Sequence, residues 1–248
     1  MDSTIIRTAC AQNDLRLSDE QLRQLDEYAA RLLEWNKKIN LVSRRDEENF
    51  WTRHILHCIS LMFKVEFAEG AKILDLGTGG GLPGIVLKIA RPDLLFTLLD
   101  STQKKINVVK DLLGSLGLDG IDAVWGRAED LGKQREHTGR YNIVVARGVA
   151  ALKDLALWSY PFLKSSVLGA DAREANALGS TKKRINGPAL VAFKGGGLDD
   201  EIRELRKHPN VGPVSTIELT LNGSTQLDDR DKKLIIVEFA RSIRQKAE

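Results

Sequence analysis

The stretch Ile73-Leu-Asp-Leu-Gly-Thr-Gly-Gly-Gly-Leu-Pro-Gly84 limits the folds open to this chain more than any other. Its apolar run, ending at Asp75, reads as a buried parallel strand, and a helix over Gly84 to Ala90 follows it. Pro83 suits the first turn of that helix, where its missing N–H would have no partner anyway. Between strand and helix, Gly77, Gly79 and Gly81 let the backbone turn sharply and approach a ligand closely. Strand, glycine loop and helix in that order form the nucleotide-binding unit of a doubly wound α/β domain.

Many turns contain glycines, so the surroundings of the loop decide the reading. A second apolar run, Leu94-Leu-Phe-Thr-Leu-Leu99, ends in Asp100. That is roughly 20 residues past the loop, where a ribose-binding acid sits in such folds. No Gly-Lys-Ser/Thr follows the glycines, which excludes a phosphate loop of the nucleoside-triphosphatase kind. Dinucleotide enzymes set G-x-G-x-x-G against a pyrophosphate. Here the order is Asp75-x-Gly77-x-Gly79-x-Gly81, with an acid two residues before the first glycine. A cofactor with an ammonium-bearing amino-acid head and no phosphate favours a carboxylate at that place. The pattern therefore points to S-adenosylmethionine rather than NAD. The plainer alternative is a structural turn in which Asp75 only caps the next helix.

At 248 residues the chain has room for one well-buried α/β domain and a smaller appendage. Hydrophobic and charged fractions of 42% and 29% are those of a soluble globular protein. No apolar run reaches the length of a membrane span and the N-terminus lacks a signal-peptide core, so a cytoplasmic location without a membrane partner is expected. Cys10 and Cys58 are too few for a disulfide framework, in keeping with a reducing compartment. The formal charge of +3 does not by itself announce nucleic acid. Lys37-Lys38, Arg44-Arg45, Lys104-Lys105 and Lys182-Lys183-Arg184 each read most simply as solvated surface.

Along the chain, the first ~15 residues show no clear period and read as poorly ordered. Ser18-Asp-Glu-Gln21 is a capping box, and behind it Leu22, Leu25, Ala29, Leu32 and Ile39 mark one apolar helix face. Asn36 and Asn40 favour a turn into Leu41-Val-Ser43. A second amphipathic helix sets Trp51, Ile55, Cys58, Ile59, Met62 and Phe63 against a polar stripe of Arg53, His57 and Lys64. Residues 1–68 are thus expected to form an N-terminal helical extension packed on an α/β domain over 69–248. That domain continues with a helix Gln103 to Leu116 and strands Ile121 to Trp125 and Tyr141 to Ala146. A helix Ala151 to Leu163, a strand Ala189 to Phe193 and a helix Leu198 to Lys207 follow. The hairpin Val214 to Leu221 and Lys233 to Phe239 closes the sheet. Repeated β-α units imply a mostly parallel sheet with right-handed crossovers. The closing hairpin supplies an antiparallel edge, a usual feature of methyltransferase sheets. Residues 165–187, small, polar and basic towards their end, read as a surface insertion.

With these motifs in place, the chain resembles the RsmG (GidB) family, which methylates N7 of a guanine in the small-subunit (16S) ribosomal RNA. The residues carrying the resemblance are Glu34-Trp-Asn-Lys-Lys-Ile-Asn-Leu41, Arg53-His-Ile-Leu56, Asp75 to Gly84, Leu99-Asp-Ser101, Arg147 and Phe193-Lys-Gly195. The resemblance implies a class I S-adenosylmethionine-dependent methyltransferase (Rossmann-like) fold with an N-terminal helical extension. It also implies cofactor contacts at Gly77, Leu82, Ala128, Glu129 and Arg147, with Asp100 near the ribose. Gly79 and Asp75 complete the expected cofactor set. The chain departs from the family in having His57-Cys58 where Asp-Ser commonly follows Arg-His-Ile-Leu, and in the length of its insertion.

The implied reaction needs no general base, because guanine N7 presents a lone pair and loses no proton. Alignment of nucleophile and methyl group supplies the rate. Arg usually grips guanine through O6 and N7 together. Here N7 must stay free, so basic groups should hold O6 or the flanking phosphates. Arg127, Arg147 and Lys194 are the candidates, each just past the C-terminal end of a strand, where open α/β sheets bind ligands. In A-form RNA the groove hides N7, so the target base should be unpaired or splayed. His54, His57 and Cys58 lie close together, but no other His or Cys cluster completes a metal site, and none is expected. Trp35, Trp51, Trp125 and Trp158 read as core packing. The expected partner is 16S ribosomal RNA or the small ribosomal subunit, met by a monomer. Two rivals remain: a nicotinamide-dependent oxidoreductase with the same loop, and a non-catalytic RNA-binding ribosome-assembly factor.

Overall fold

The computed structural model describes residues 3–164, 182–219 and 231–240. Helix α1 (Ser3–Gln12) buries Ile6, Ala9 and Cys10, so residues 3–12 form a packed helix, contrary to the sequence expectation. Three buried side chains in one short helix are too few for a period to stand out. Helix α2 (Asp19–Asn36) starts at the expected capping box, with Ser18 Oγ accepting from Gln21 N and the Gln21 side chain accepting from Ser18 N. Asn36 holds the turn after it, accepting from the Leu41 and Val42 amides and donating to Val42 O.

After the short helix α3 (Arg44–Glu47) the chain makes a π-helical turn, Trp51–Leu56, that runs into α4 (His57–Lys64). A turn closed by i→i+5 bonds is wider than an α-turn and shifts the phase of all that follows. His57, expected on the polar stripe with Arg53 and Lys64, is buried for that reason, with its ring edge-on to Phe193 at 5.2 Å.

Strand β1 (Val65–Phe67) leads to β2 (Lys72–Leu76), α5 (Gly84–Ala90), β3 (Leu95–Asp100), α6 (Gln103–Leu116) and β4 (Ile121–Trp125). The short α7 (Ala128–Leu131), β5 (Ile143–Arg147) and α8 (Leu152–Ser159) follow. The helix expected to reach Leu163 stops early and tightens into a 3-10 turn, Tyr160–Phe162. Pro161 lacks the N–H that a continuing α-helix would use. The chain then supplies β6 (Lys183–Ile185), β7 (Ala189–Gly195), α9 (Asp199–Leu205), β8 (Val211–Glu218) and β9 (Lys232–Phe239). Of the expected insertion, residues 165–181 lie outside the described residues, as do 220–221 of the closing hairpin. The end of the insertion is not loop but β6, which pairs in parallel with β1.

Seven strands form one sheet in the order β4-β3-β2-β5-β7-β9-β8. All neighbouring pairs from β4 to β7 are parallel, and β9 runs antiparallel to both β7 and β8. Alternation along the strands sorts the core into two layers. Ile73, Ile143, Val191, Leu234 and Ile236 face a layer built with α2, α4, α5 and α6. Leu74, Val144, Leu190, Ile235 and Val237 face the other, under α8 and α9. The N-terminal helices share the first layer without a break: Leu25, Leu32, Ile55 and Ile59 are wholly buried in it. Trp125 does not pack in either layer. It stands at the end of the edge strand β4, 55% exposed, with its indole N–H donating to Ser101 O.

Candidate functional site

Strand order reverses between β2 and β5, because the chain goes from β2 outward to β3 and β4 before returning to β5. At such a switch point the loops diverge and leave a crevice at the strand ends. The glycine loop after β2 opens into that crevice. Gly79 has a left-handed backbone, φ +60°, and its amide donates to Asp100 Oδ2 at 3.0 Å. Gly77 is also left-handed, and a Cβ there would meet Val149 Cγ2 at 2.5 Å. The β5–α8 loop carrying Val149 can lie on the glycine loop only because position 77 has no side chain.

Two carboxylates fix the loop from beneath. Asp75, fully buried, accepts from Thr78 Oγ1 at 2.6 Å and from the Gly84 amide at 2.8 Å, both through Oδ2. Capping of α5 is therefore part of its role, as the plainer alternative held. Its Oδ1 has no hydrogen-bond partner in the protein. Burial pushes the Asp75 carboxyl up to about 7, against the opposing effect of those two hydrogen bonds. A buried acceptor without a donor beside a glycine loop suits a cationic ligand group, and the donor set fits S-adenosylmethionine on that ground. Asp100 accepts from Gly79 through Oδ2 and from the Thr102 amide through Oδ1, and each oxygen keeps a lone pair for another donor.

The crevice is a cleft of about 1010 Å³. Gly77, Gly79, Leu82, Arg147 and Lys194 of the expected site line it. Asp75 and Asp100 of the expected set are not on its lining, nor are the three residues Arg127, Ala128 and Glu129. The latter three follow β4, one strand further out, where the Gly126 amide bonds Asp100 O. Lys194 is there as expected but engaged: its Nζ lies 2.8 Å from Glu201 Oε2 and donates to Ala150 O. Glu201 also accepts from the Leu152 amide, so this pair ties β7, α9 and the start of α8 together.

The opposite wall comes from the N-terminal helices. Tyr28, wholly buried, donates from its hydroxyl to Gly80 O at 3.0 Å, and a Cβ at Gly80 would meet Leu32 Cδ1 at 2.6 Å. Gln21 donates to Ile89 O and Ala90 O at the end of α5. Arg147 crosses from β5 to the π-helical turn, with Nη1 3.5 Å from Arg53 O and Nη2 2.9 Å from His54 Nδ1, while its Nε is buried without a partner. Burial first, and the Arg147 charge second, push His54 down to about 4 and His57 down to about 3. Both imidazoles are neutral at neutral pH, and Arg147 carries the positive charge. Sequence reasoning passed over Asp46, His54, Lys105 and Lys232 as lining residues. In the sequence His54 stands out only as a potential metal ligand, and a π-turn leaves no period by which its direction could be read.

Strand order, the reversed β9 and an acid-led glycine loop at the switch point define a class I S-adenosylmethionine-dependent methyltransferase fold. Two solved structures share that fold. A TehB-like SAM-dependent methyltransferase from Corynebacterium glutamicum matches with a TM-score of 0.50 and 14% identity, covering 85% of this chain and 99% of that one. A predicted O-methyltransferase from Agrobacterium tumefaciens matches at 0.51 and 12%, covering 76% and 81%. The family is set by sequence. The family model described as rRNA small subunit methyltransferase G (GidB) matches residues 21–168. Proteins named ribosomal RNA small subunit methyltransferase G are similar over most of their length. The one from Moorella thermoacetica is 35% identical over 79% of this chain and 86% of its own. That of Clostridium botulinum strain Loch Maree is 31% identical over 98% and 92%. This chain belongs to the rRNA small subunit methyltransferase G (GidB) family.

Proposed function

We propose that this chain transfers a methyl group from S-adenosylmethionine to N7 of a guanine in 16S ribosomal RNA, acting in the cytoplasm as a monomer on the RNA or the small subunit. The observation that carries this reading is family membership joined to an acid-led glycine loop that opens into a cleft walled by Arg147. Asp75 Oδ1 would meet the ammonium of the cofactor, the backbone at Gly77, Gly79 and Leu82 would cradle its amino-acid head, and Asp100 would accept from its ribose hydroxyls. Ala128 and Glu129, beside Asp100 at the end of β4, hold the adenine edge, and Arg127 next to them faces the flanking RNA. When bound, the sulfonium supplies an electrophilic methyl group.

The residues around the cleft align the base rather than move protons. His54 and His57 are held neutral and N7 carries its own lone pair, so no group need act as a base. Arg147 lies on the substrate side, fixed to the π-helical turn at two points, and its positive charge attracts an approaching RNA phosphate or the guanine O6. Lys194 acts with Glu201 by holding the β5–α8 loop over Gly77. Against a nicotinamide oxidoreductase stand the reversed β9 and the family match. Among the described residues no helix is long and apolar enough to cross a membrane.

The test is to incubate the purified protein with labelled S-adenosylmethionine and small-subunit particles from a strain lacking it, and to map the labelled base. Label at one guanine N7, lost in Arg147→Ala while cofactor still binds, is the expected result. Cofactor binding with no label on RNA or particles would sink the ribosomal substrate.

A further inference from the structure

Among the cleft groups that the proposed function leaves unused are the Asp46 carboxylate and the Nε2 of His54. His54 is 9% exposed, and its Nε2 has no hydrogen-bond partner. Its Nδ1 lies 2.9 Å from Arg147 Nη2. A guanidinium can only donate, so Nδ1 accepts and the ring proton sits on Nε2. That leaves a buried N–H donor on the cleft wall, fixed in tautomer by Arg147. Desolvation and the Arg147 charge keep this ring from becoming a cation near neutral pH.

Asp46 Oδ2 stands 4.0 Å from His54 Nε2, too far for a hydrogen bond between them. The carboxylate is clamped by Ser43 Oγ at 2.6 Å on Oδ2 and by Arg53 Nη1 at 2.7 Å on Oδ1. The Ser43 hydrogen bond, followed by that of Arg53, holds its carboxyl below the usual range, so it is charged. Each oxygen keeps a lone pair. A fixed donor therefore stands next to a fixed pair of acceptors.

We propose that His54 and Asp46 read the target guanine by its Watson–Crick edge, His54 Nε2–H donating to O6 and the Asp46 carboxylate accepting from N1–H and the 2-amino group. O6 and N1 are neighbouring acceptor and donor on guanine, matching the neighbouring donor and acceptor on the protein. Adenine would set its N6 donor against the His54 donor and its N1 lone pair against the carboxylate. Bases splayed from RNA are commonly read on this edge. The grip leaves N7 unbonded, as its methylation requires, whereas a guanidinium fork on O6 and N7 would occupy it. This inference rests on the guanine-N7 reading above.

The test compares small-subunit particles carrying guanine or inosine at the mapped target position, since inosine differs only by lacking the 2-amino group. The wild-type protein should methylate guanine with a kcat/KM about tenfold or more above inosine, the scale of a good base contact. Asp46→Asn should lower kcat/KM on guanine, bring the guanine-to-inosine ratio near one, and leave the Kd for S-adenosylmethionine unchanged. His54→Gln, which keeps a donor, should retain more activity than His54→Phe. Equal wild-type rates on guanine and inosine overturn the inference without recourse to any variant, as does an unchanged ratio in Asp46→Asn. Either result with label still at guanine N7 leaves the methylation reading standing. Absence of label at any guanine N7 removes that reading, and this inference falls with it.

Discussion

Asp75→Asn is expected to stabilise the protein at pH 8 while weakening its hold on S-adenosylmethionine. The carboxyl is fully buried, and burial raises it from 3.8 to about 7. A folded pKa above the unfolded one means that the native state holds the proton more tightly. Stability is then unaffected below the unfolded value and falls as pH rises towards and through about 7. A shift of that size corresponds to about 4 kcal/mol of native-state penalty once the group is fully ionised. Asn removes the charge and keeps an oxygen to accept from Thr78 Oγ1 and the Gly84 amide. The Asn NH2, standing where the unpartnered Oδ1 is, leaves a buried donor unpaired and returns about 2 kcal/mol of that gain. The variant should therefore exceed the wild type by about 2 kcal/mol in urea denaturation at pH 8, an advantage that disappears near pH 5. Titration calorimetry should show its cofactor affinity reduced by about tenfold, the scale of a lost partly buried charge contact. Wild-type stability that is flat from pH 5 to pH 8, or a variant less stable at pH 8, would refute the argument from burial. Unchanged cofactor affinity would remove Asp75 as the ammonium partner.

Tyr28→Phe leaves Gly80 O, a buried acceptor, without its donor, and should lower stability by about 1–3 kcal/mol in chemical denaturation. Gly77→Ala forces a side chain into a left-handed position at a cost of about 1–2 kcal/mol and against Val149, so cofactor affinity should fall. Adding Val149→Ala should restore part of the loss, and no recovery would mean that the backbone alone is responsible. The pH–rate profile of methyl transfer should show no ionisation of His54 or His57 between pH 5.5 and pH 8 or so, since both are held at or below about 4. An inflection near 6.5 that vanishes in His54→Gln would contradict their neutrality.

Much of the fold was legible because its parts have local causes. The capping box at Ser18 and Gln21 needs only four residues, and it formed as written. The apolar runs of β2, β5, β7 and β9 are continuous because both faces of each strand are covered, which marks buried strands in any context. Where the sequence misled, a non-local or phase effect intervened. Trp125 looked like core until β4 proved to be an edge strand. His57 looked like surface until the π-turn moved it by a fraction of a turn. Helix α8 was read too long because an apolar period continues through Pro161, where the backbone hydrogen bonds cannot.

The sequence by itself determined the glycine-loop half of the candidate site. Asp75, the glycines and Asp100 lie on two successive strands and the turn between, so spacing along the chain sets their geometry. Only the tertiary structure decided the facing half. Arg147 meets His54 across 93 positions of sequence, Tyr28 meets Gly80 across 52, and Lys194 meets Ala150 across 44. Contacts of that kind depend on how the N-terminal helices pack on the sheet, and on the register in which β5 and β7 align. No period or motif records those distances, because side chains far apart in the chain are brought together by burial of apolar faces that carry no information about what stands at their rims.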